Sequence, residues 1–230
     1  MNGRLADQRV LVTCADTYMG PPIAELFADE GADVIADSDP LTDPDAPAAL
    51  VERCGELDVV IANLDLPAYT AKAIDIEDGP WLDGFDAMVH PLMRLVRAAT
   101  VRMTERGGGS IVALTSSSPL RRMSPQAISY VTARAAQNAF VRSAGHELAG
   151  SSVRLNAIAQ NFVANDTYYP PSLMENEKFL ARLHGEVPAQ RLGSPRETAE
   201  LALFLASDAG RFVNSHDLVV DGGRTSMFND

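Results

Sequence analysis

The sequence predicts an α/β protein built on one doubly wound parallel sheet with helices on both faces. Three observations carry that reading. Strand-like apolar runs alternate with helix-like stretches along the whole chain. The runs lack the polar alternation of a half-exposed strand, as expected where helices cover both faces of a sheet. No linker, repeat or low-complexity segment divides the chain, so its 230 residues read as a single domain spanning 1–230, long enough to bury a full core.

The elements follow in order. Val10–Thr13 is the first strand, and the amphipathic stretch Ile23–Glu30, stopped by Gly31, is the first helix. Asp33–Ala36 is the second strand; a Pro/Asp-rich loop leads to a helix through Leu50–Cys54 and then to the strand Asp58–Ala62. A long helical region from Trp81 to Glu105 ends at Gly107-Gly108-Gly109, and Ser110–Leu114 returns to the sheet. The helix Ala127–Leu148 and the strand Val153–Ala157 come next. A loop dense in aromatics and prolines then precedes the helix Pro195–Ser207 and the strand Asp217–Val220. Right-handed crossovers between parallel strands put the functional site at the carboxyl ends of those strands.

Charge and composition exclude several classes. With 19 basic against 31 acidic residues, the net charge is −12. That balance argues against nucleic acid and against anionic membrane surfaces as partners. Cys14 and Cys54 are the only cysteines, too few for a disulfide scaffold or a cysteine-based metal site. His90, His146, His184 and His216 fall in no metal-ligating pattern, so no metal is expected. Met1–Arg9 is polar, without the apolar core of a signal peptide, and no apolar run reaches the roughly 18 residues of a membrane span. A cytoplasmic protein is the expectation.

Three polar residues converge at the expected site. Tyr130 and Arg134 are four apart in the helical segment "SYVTARAAQNAF" and share a helix face. Ser117 stands thirteen residues before Tyr130, just past the strand ending at Leu114, with Ser116 as the alternative in the same serine run. Spacing alone also allows the Tyr/Arg pair to be a solvated helix face. The loop after the first strand reads Thr13-Cys14-Ala15-Asp16-Thr17-Tyr18-Met19-Gly20. In a dinucleotide-binding fold such a loop needs glycines, which permit the tight turn and the close approach of a pyrophosphate. Tyr18 therefore either packs into the sheet edge or lines a site different from a phosphate loop.

With these residues in place, the sequence from about Arg4 to Gly223 resembles the short-chain dehydrogenases/reductases. The likeness rests on the order of elements, Asn63 after the third strand, the Ser117…Tyr130-x-x-x-Arg134 set and Asp221-Gly222-Gly223 after the last strand. That family carries TGxxxGxG in the first loop and YxxxK in the helix. Both departures together are similar to the halohydrin dehalogenases, which share the Rossmann-like fold and use no nicotinamide. The resemblance implies an enzyme without a cofactor that closes vicinal haloalcohols to epoxides with release of halide. It implies the reverse opening of epoxides by small anions such as azide, cyanide or nitrite as well.

The site residues take roles on the same footing. The resemblance implies Tyr130 as general base, Arg134 as the cation that activates it, and Ser117 as the donor fixing the substrate oxygen. A fixed cation nearby lowers a phenol's pKa by roughly 1–3 units, and arginine keeps its proton in a dry pocket. Tyr18, with its electropositive ring edge, and Gln160, Asn161 and Phe162 would hold the halide or nucleophile, with Tyr168 and Tyr169 walling the substrate pocket. The Tyr18 ring is expected to face the loop and to add little to the core. Asn63 is expected to tie adjacent loops together, and Asp37 to do surface loop chemistry rather than bind a ribose. The resemblance further implies a homotetramer paired through the helices near Trp81–Glu105 and Ala127–Leu148. Two alternatives stay open: an NAD(P)-dependent reductase with a degenerate loop, and a non-catalytic member of the fold.

Overall fold

A computed structural model describes residues 3–120 and 126–226. Six strands form one all-parallel sheet in the order β2-β1-β3-β4-β5-β6. They are β1 (Arg9–Thr13), β2 (Asp33–Asp37), β3 (Val59–Ala62), β4 (Gly109–Ser116), β5 (Val153–Gln160) and β6 (Asp217–Val220). The helices are α1 (Gly20–Asp29), α2 (Ala46–Cys54), α3 (Asp78–Gly84), α4 (His90–Glu105), α5 (Ile128–Leu148), α6 (Glu177–Glu186) and α7 (Pro195–Ala206). This is the α/β, Rossmann-like doubly wound sheet expected from the alternation of elements.

Period-two alternation along the strands feeds two cores. Val10, Val12, Ile61, Val112, Leu114 and Ile158 face α1 and α7, meeting Ile23, Phe27, Ala202 and Leu203. Leu11, Val60, Ile111, Ala113, Leu155 and Ala157 face the opposite side, meeting Leu50, Leu92, Leu95 and Val141. Strands buried on both faces need continuous apolar runs, which is why these segments read so plainly as parallel strands.

Three departures from the expected elements matter for the site. β4 and β5 run further than their apolar stretches, to Ser116 and Gln160, which are paired in register at the carboxyl edge. The region from Trp81 onward is two α-helices joined by a π-helical turn at Phe85–Val89. The loop expected between β5 and α7 contains α6. Asn176 caps that helix by accepting hydrogen bonds from the amides of Lys178 and Phe179. Phe179 and Leu183, four apart, bury its inner face against Phe162 and Val187. α7 starts on a capping box of Ser194 and Glu197 with Pro195 in its first turn.

Candidate active site

The first loop keeps a backbone shaped for glycine and fills it with side chains. Cys14 and Tyr18 have φ of +44° and +52°, the left-handed region that costs an L-residue roughly 1–2 kcal/mol. Gly20 is retained because a Cβ there would meet the Cys14 carbonyl oxygen at 2.6 Å. Asn63, fully buried, holds the loop together as expected: its amide donates to the carbonyls of Cys14 (2.8 Å) and Thr17 (3.0 Å) and accepts from the Met19 amide. The Tyr18 ring does not face outward. It is 7% exposed and packs in the core cluster beside α1, so the expectation of a loop-facing ring is corrected. Its hydroxyl donates toward the Thr115 carbonyl at 3.5 Å, and its ring meets Tyr168 edge-on with centroids 5.3 Å apart.

Arg134 lies at the centre, fully buried, one turn along α5 from Tyr130. Its Nη1 donates to the carbonyls of Leu64 and Leu114, both at 3.0 Å, and to Gln137 Oε1 at 2.9 Å. Its Nη2 donates to the Tyr168 hydroxyl at 3.3 Å. The guanidinium carbon is 5.2 Å from the Tyr130 ring centre and 5.7 Å from that of Tyr18. Burial works against its charge, but the phenols of Tyr130, Tyr168 and Tyr18 outweigh that and hold the guanidinium above its ordinary value.

The neighbouring phenols are pushed the other way. Burial raises Tyr18 and Tyr168 well above the usual tyrosine range, and Tyr169 up to about 12, in each case despite an opposing arginine. These three are protonated donors at neutral pH. Tyr130, like Tyr168 and Tyr169, is half-buried, and it lines the cavity they share.

That cavity is about 220 Å³, below the roughly 300 Å³ at which sites for drug-sized ligands begin. Tyr18, Tyr130, Gln160, Asn161, Tyr168 and Tyr169 all line it, bringing six of the nine residues expected from the sequence to one wall. Arg134 stands directly behind. Ser117 and Phe162 are not brought to it. Ser117 is fully buried and donates to Asp221 Oδ2 at 3.2 Å, where the Gly223 and Thr225 amides also donate to that carboxylate. Ser116 and Ser118 line the cavity instead. The Ser116 oxygen accepts from the Ser118 amide at 3.1 Å, which leaves its own proton to give. Phe162 is stacked behind Tyr169 with centroids 5.2 Å apart.

The amides are partly committed. Asn161 donates to the Ser118 hydroxyl (2.7 Å) and accepts from the Tyr169 hydroxyl (2.6 Å) and the Phe162 amide (3.0 Å). Gln160 accepts from Thr198 Oγ1 at 2.9 Å and hydrogen-bonds the Tyr18 side chain. Arg182 of α6, which the sequence reading did not single out, also lines the cavity. The signals for it were the Asn176 cap and the Phe179/Leu183 pair. Among the described residues no cluster of His, Cys, Asp and Glu is placed to hold a metal, and no helix is long and apolar enough to cross a membrane.

Comparison with known proteins fixes the class. The family described as enoyl-(acyl carrier protein) reductase matches residues 38–225. Galactitol 2-dehydrogenase (L-tagatose-forming) of Cereibacter sphaeroides is 32% identical over 202 residues, 87% of this chain and 78% of that protein. Cis-4-hydroxycyclohexanecarboxylate dehydrogenase of Sinomonas cyclohexanicum is 30% identical over 228 residues, 97% and 90% of the two chains. The chain belongs to the short-chain dehydrogenase/reductase superfamily of enzymes. Among solved structures, one described as a dehalogenation enzyme matches with a TM-score of 0.88 at 30% identity, over 95% of this chain and 98% of that one.

Proposed function

We propose that the chain is a halohydrin dehalogenase that converts vicinal haloalcohols to epoxides and halide without a nicotinamide. One observation carries the reading: the two departures from the reductase pattern touch each other. The Arg134 guanidinium, in place of lysine, lies over the ring of Tyr18, which stands in place of a loop glycine. The likeness to a structure described as a dehalogenation enzyme supports it.

A dinucleotide does not fit the residues present. Its path along the carboxyl edge of β1 and β4 meets the Tyr18 ring, which is wedged between Thr115, Tyr168 and Arg134. The carboxylate that could take a ribose, Asp37, already accepts from Arg53 Nη2 at 2.7 Å and from the Asp39 amide.

The chemistry then needs only this chain's side chains. Ser116, in the position expected for Ser117, donates to the substrate hydroxyl, and Tyr130 as phenolate removes that hydroxyl's proton. Arg134 behind the ring stabilises the phenolate. The alkoxide attacks the neighbouring carbon from the back; the C–O bond forms as the carbon–halogen bond breaks. Halide leaves into the wall formed by Tyr18, Gln160 and Asn161, and the proton on Tyr130 exits to solvent. Ring opening runs the same steps in reverse, with Tyr130 protonating the epoxide oxygen and a small anion attacking. Gln160, Asn161 and Tyr18 all make internal hydrogen bonds, so on this reading the halide is held by the amide protons that Gln160 and Asn161 have left over, beside the Tyr18 ring.

Assembly as a homotetramer belongs to the same reading. Met93, Val96, Phe140, Ala144 and Leu148 line an apolar groove between α4 and α5 that such pairing would cover.

The test is halide release from 1,3-dichloro-2-propanol in the absence of any nicotinamide. The second reading, an NAD(P)-dependent reductase, is favoured by the dehydrogenases among its relatives. It requires nicotinamide absorbance to change on turnover with a ketone or alcohol, and no halide to appear.

A further inference from the structure

Arg182 introduces a charge that the reaction above does not use. Its side chain reaches the cavity wall from α6, and among the described residues it is the one charged group lining that cavity; no carboxylate lines it. In a protein with 31 acidic residues, such a wall is set apart from the rest of the surface.

The guanidinium is held rather than free. Its carbon lies 5.2 Å from the centre of the Phe162 ring, on the aromatic stack of Phe162, Tyr169 and Phe179. Its Nε donates to Glu186 Oε1 at 3.2 Å, one turn along the same helix. Glu186 is itself fixed from the other side by the buried Arg224, whose Nε donates to Oε2 at 3.2 Å. One carboxylate thus serves two guanidinium groups, and among the described residues no hydrogen bond engages the two terminal nitrogens of Arg182. Those nitrogens match the geometry of a carboxylate, which guanidinium binds in a fork.

We propose that Arg182 is a specificity-determining residue that binds an anionic tail on the substrate, so that carboxylate-bearing haloalcohols and epoxides are preferred over neutral ones of the same size. The inference rests on the dehalogenase reading and names its substrate class. Ser116 and Gln160 stand at the carboxyl edge of β4 and β5, whereas Arg182 comes from α6 over the aromatic stack. A tail beyond the carbinol carbon would run between the two.

Two measurements decide it. The first compares kcat/KM for 4-chloro-3-hydroxybutanoate and for its methyl ester, by halide release. The parent should favour the acid by roughly 3- to 10-fold, a charge-assisted hydrogen bond discounted for a part-exposed site. The preference should sit mainly in KM and shrink in high salt, because the Arg182 side chain is 41% exposed. R182Q should bring the ratio near one, while R182K should keep part of it. Equal ratios in the parent and R182Q, or no preference in the parent, overturn the inference while leaving the dehalogenase reading standing.

The second is calorimetric binding of 3-hydroxybutanoate, which carries no halide and cannot react. Parent and R182K should bind it more tightly than R182Q; identical binding by all three overturns the inference. If neither chlorinated compound releases halide, the dehalogenase reading fails, and this binding series still decides whether Arg182 holds a carboxylate.

Discussion

The two halves of the sheet's carboxyl edge have been treated in opposite ways. On the β1–β2 side the polar groups are spent on one another: Asp37 on Arg53, Asn63 on the loop carbonyls, and Thr17 on Asp65 at 3.2 Å. On the β4–β5 side they face open volume. Ser116 keeps a proton to donate, Gln160 and Tyr130 line a cavity, and a buried cation stands behind them. On the dehalogenase reading, the crevice beside the first loop is filled by the chain's own side chains. The reacting half needs unspent hydrogen-bonding capacity next to a void. On that reading the chemistry follows where that capacity is left over, not where the strand order reverses.

The sharpest way to break this comparison is at Tyr130. Tyr130→Phe removes only the phenolic oxygen, so the helix and its packing should survive. Loss of a general base costs about 10²–10⁴-fold, and both halide release and epoxide opening by azide should fall together. Activity within a few-fold of the parent, with unchanged circular dichroism, would remove Tyr130 as the base.

Tyr18, which belongs to both the closed loop and the halide wall, should answer in stability as well as in halide binding. Tyr18→Ala deletes a buried ring and is expected to cost about 3–5 kcal/mol, lowering the melting temperature by roughly 10 °C for a chain of this size. At φ of +52° the usual order of substitutions inverts: Tyr18→Gly should be more stable than Tyr18→Ala by about 1 kcal/mol. Thermal denaturation of both variants measures this. An alanine variant as stable as the glycine one would mean the loop has relaxed out of the left-handed region.

The two neighbouring serines divide the comparison more finely. Ser116→Ala should lower kcat/KM by roughly 10- to 100-fold, the worth of a hydrogen bond to a developing alkoxide, and cost about 1 kcal/mol of stability because the Ser118 amide loses its acceptor. Ser117→Ala should spare kcat/KM. It takes one of three donors from the Asp221 carboxylate and should cost about 1–2 kcal/mol of stability. If Ser117→Ala abolishes activity and Ser116→Ala spares it, the donor assignment is inverted.

These serines also mark where sequence reading reached its limit. The strands were legible because burial on both faces writes continuous apolar runs, and β6 carries the boundaries expected for it. Their polar ends were not, since Ser116 and Gln160 belong to the sheet by pairing rather than by hydropathy. Counting thirteen back from Tyr130 selects Ser117, but strand alternation points that side chain at Asp221. Ser116, fourteen back, takes the cavity. Tyr130, Arg134 and Tyr18 were readable because each departs from, or keeps, a fixed spacing. Arg182 was not, because Pro170-Pro171 and the aromatics around them suggested loop, and the cap and apolar pair of α6 follow only six residues later.

The smallest expected effect is none at all. NADH and NADPH at millimolar concentration should give no saturable heat in calorimetry with the parent protein. Three features act together: the Tyr18 ring packed between Thr115, Tyr168 and Arg134, the Cys14 side chain where the turn has φ of +44°, and the Arg53–Asp37 pair that engages the acid after β2. The Arg53 side chain is 60% exposed and its ion pair is of the kind worth about 1 kcal/mol or less, so that pair alone would yield to a ligand. The ring and the thiol would not, because both are set by the backbone and by core packing. A Cys14→Gly/Tyr18→Gly double variant should therefore gain weak nucleotide binding, while Arg53→Ala alone should gain none. Clear binding by the parent would mean that the ring swings aside and the loop is not closed. No gain in the double variant would move the block from the first loop to the crowded ring cluster of Tyr130 and Tyr168 beyond it.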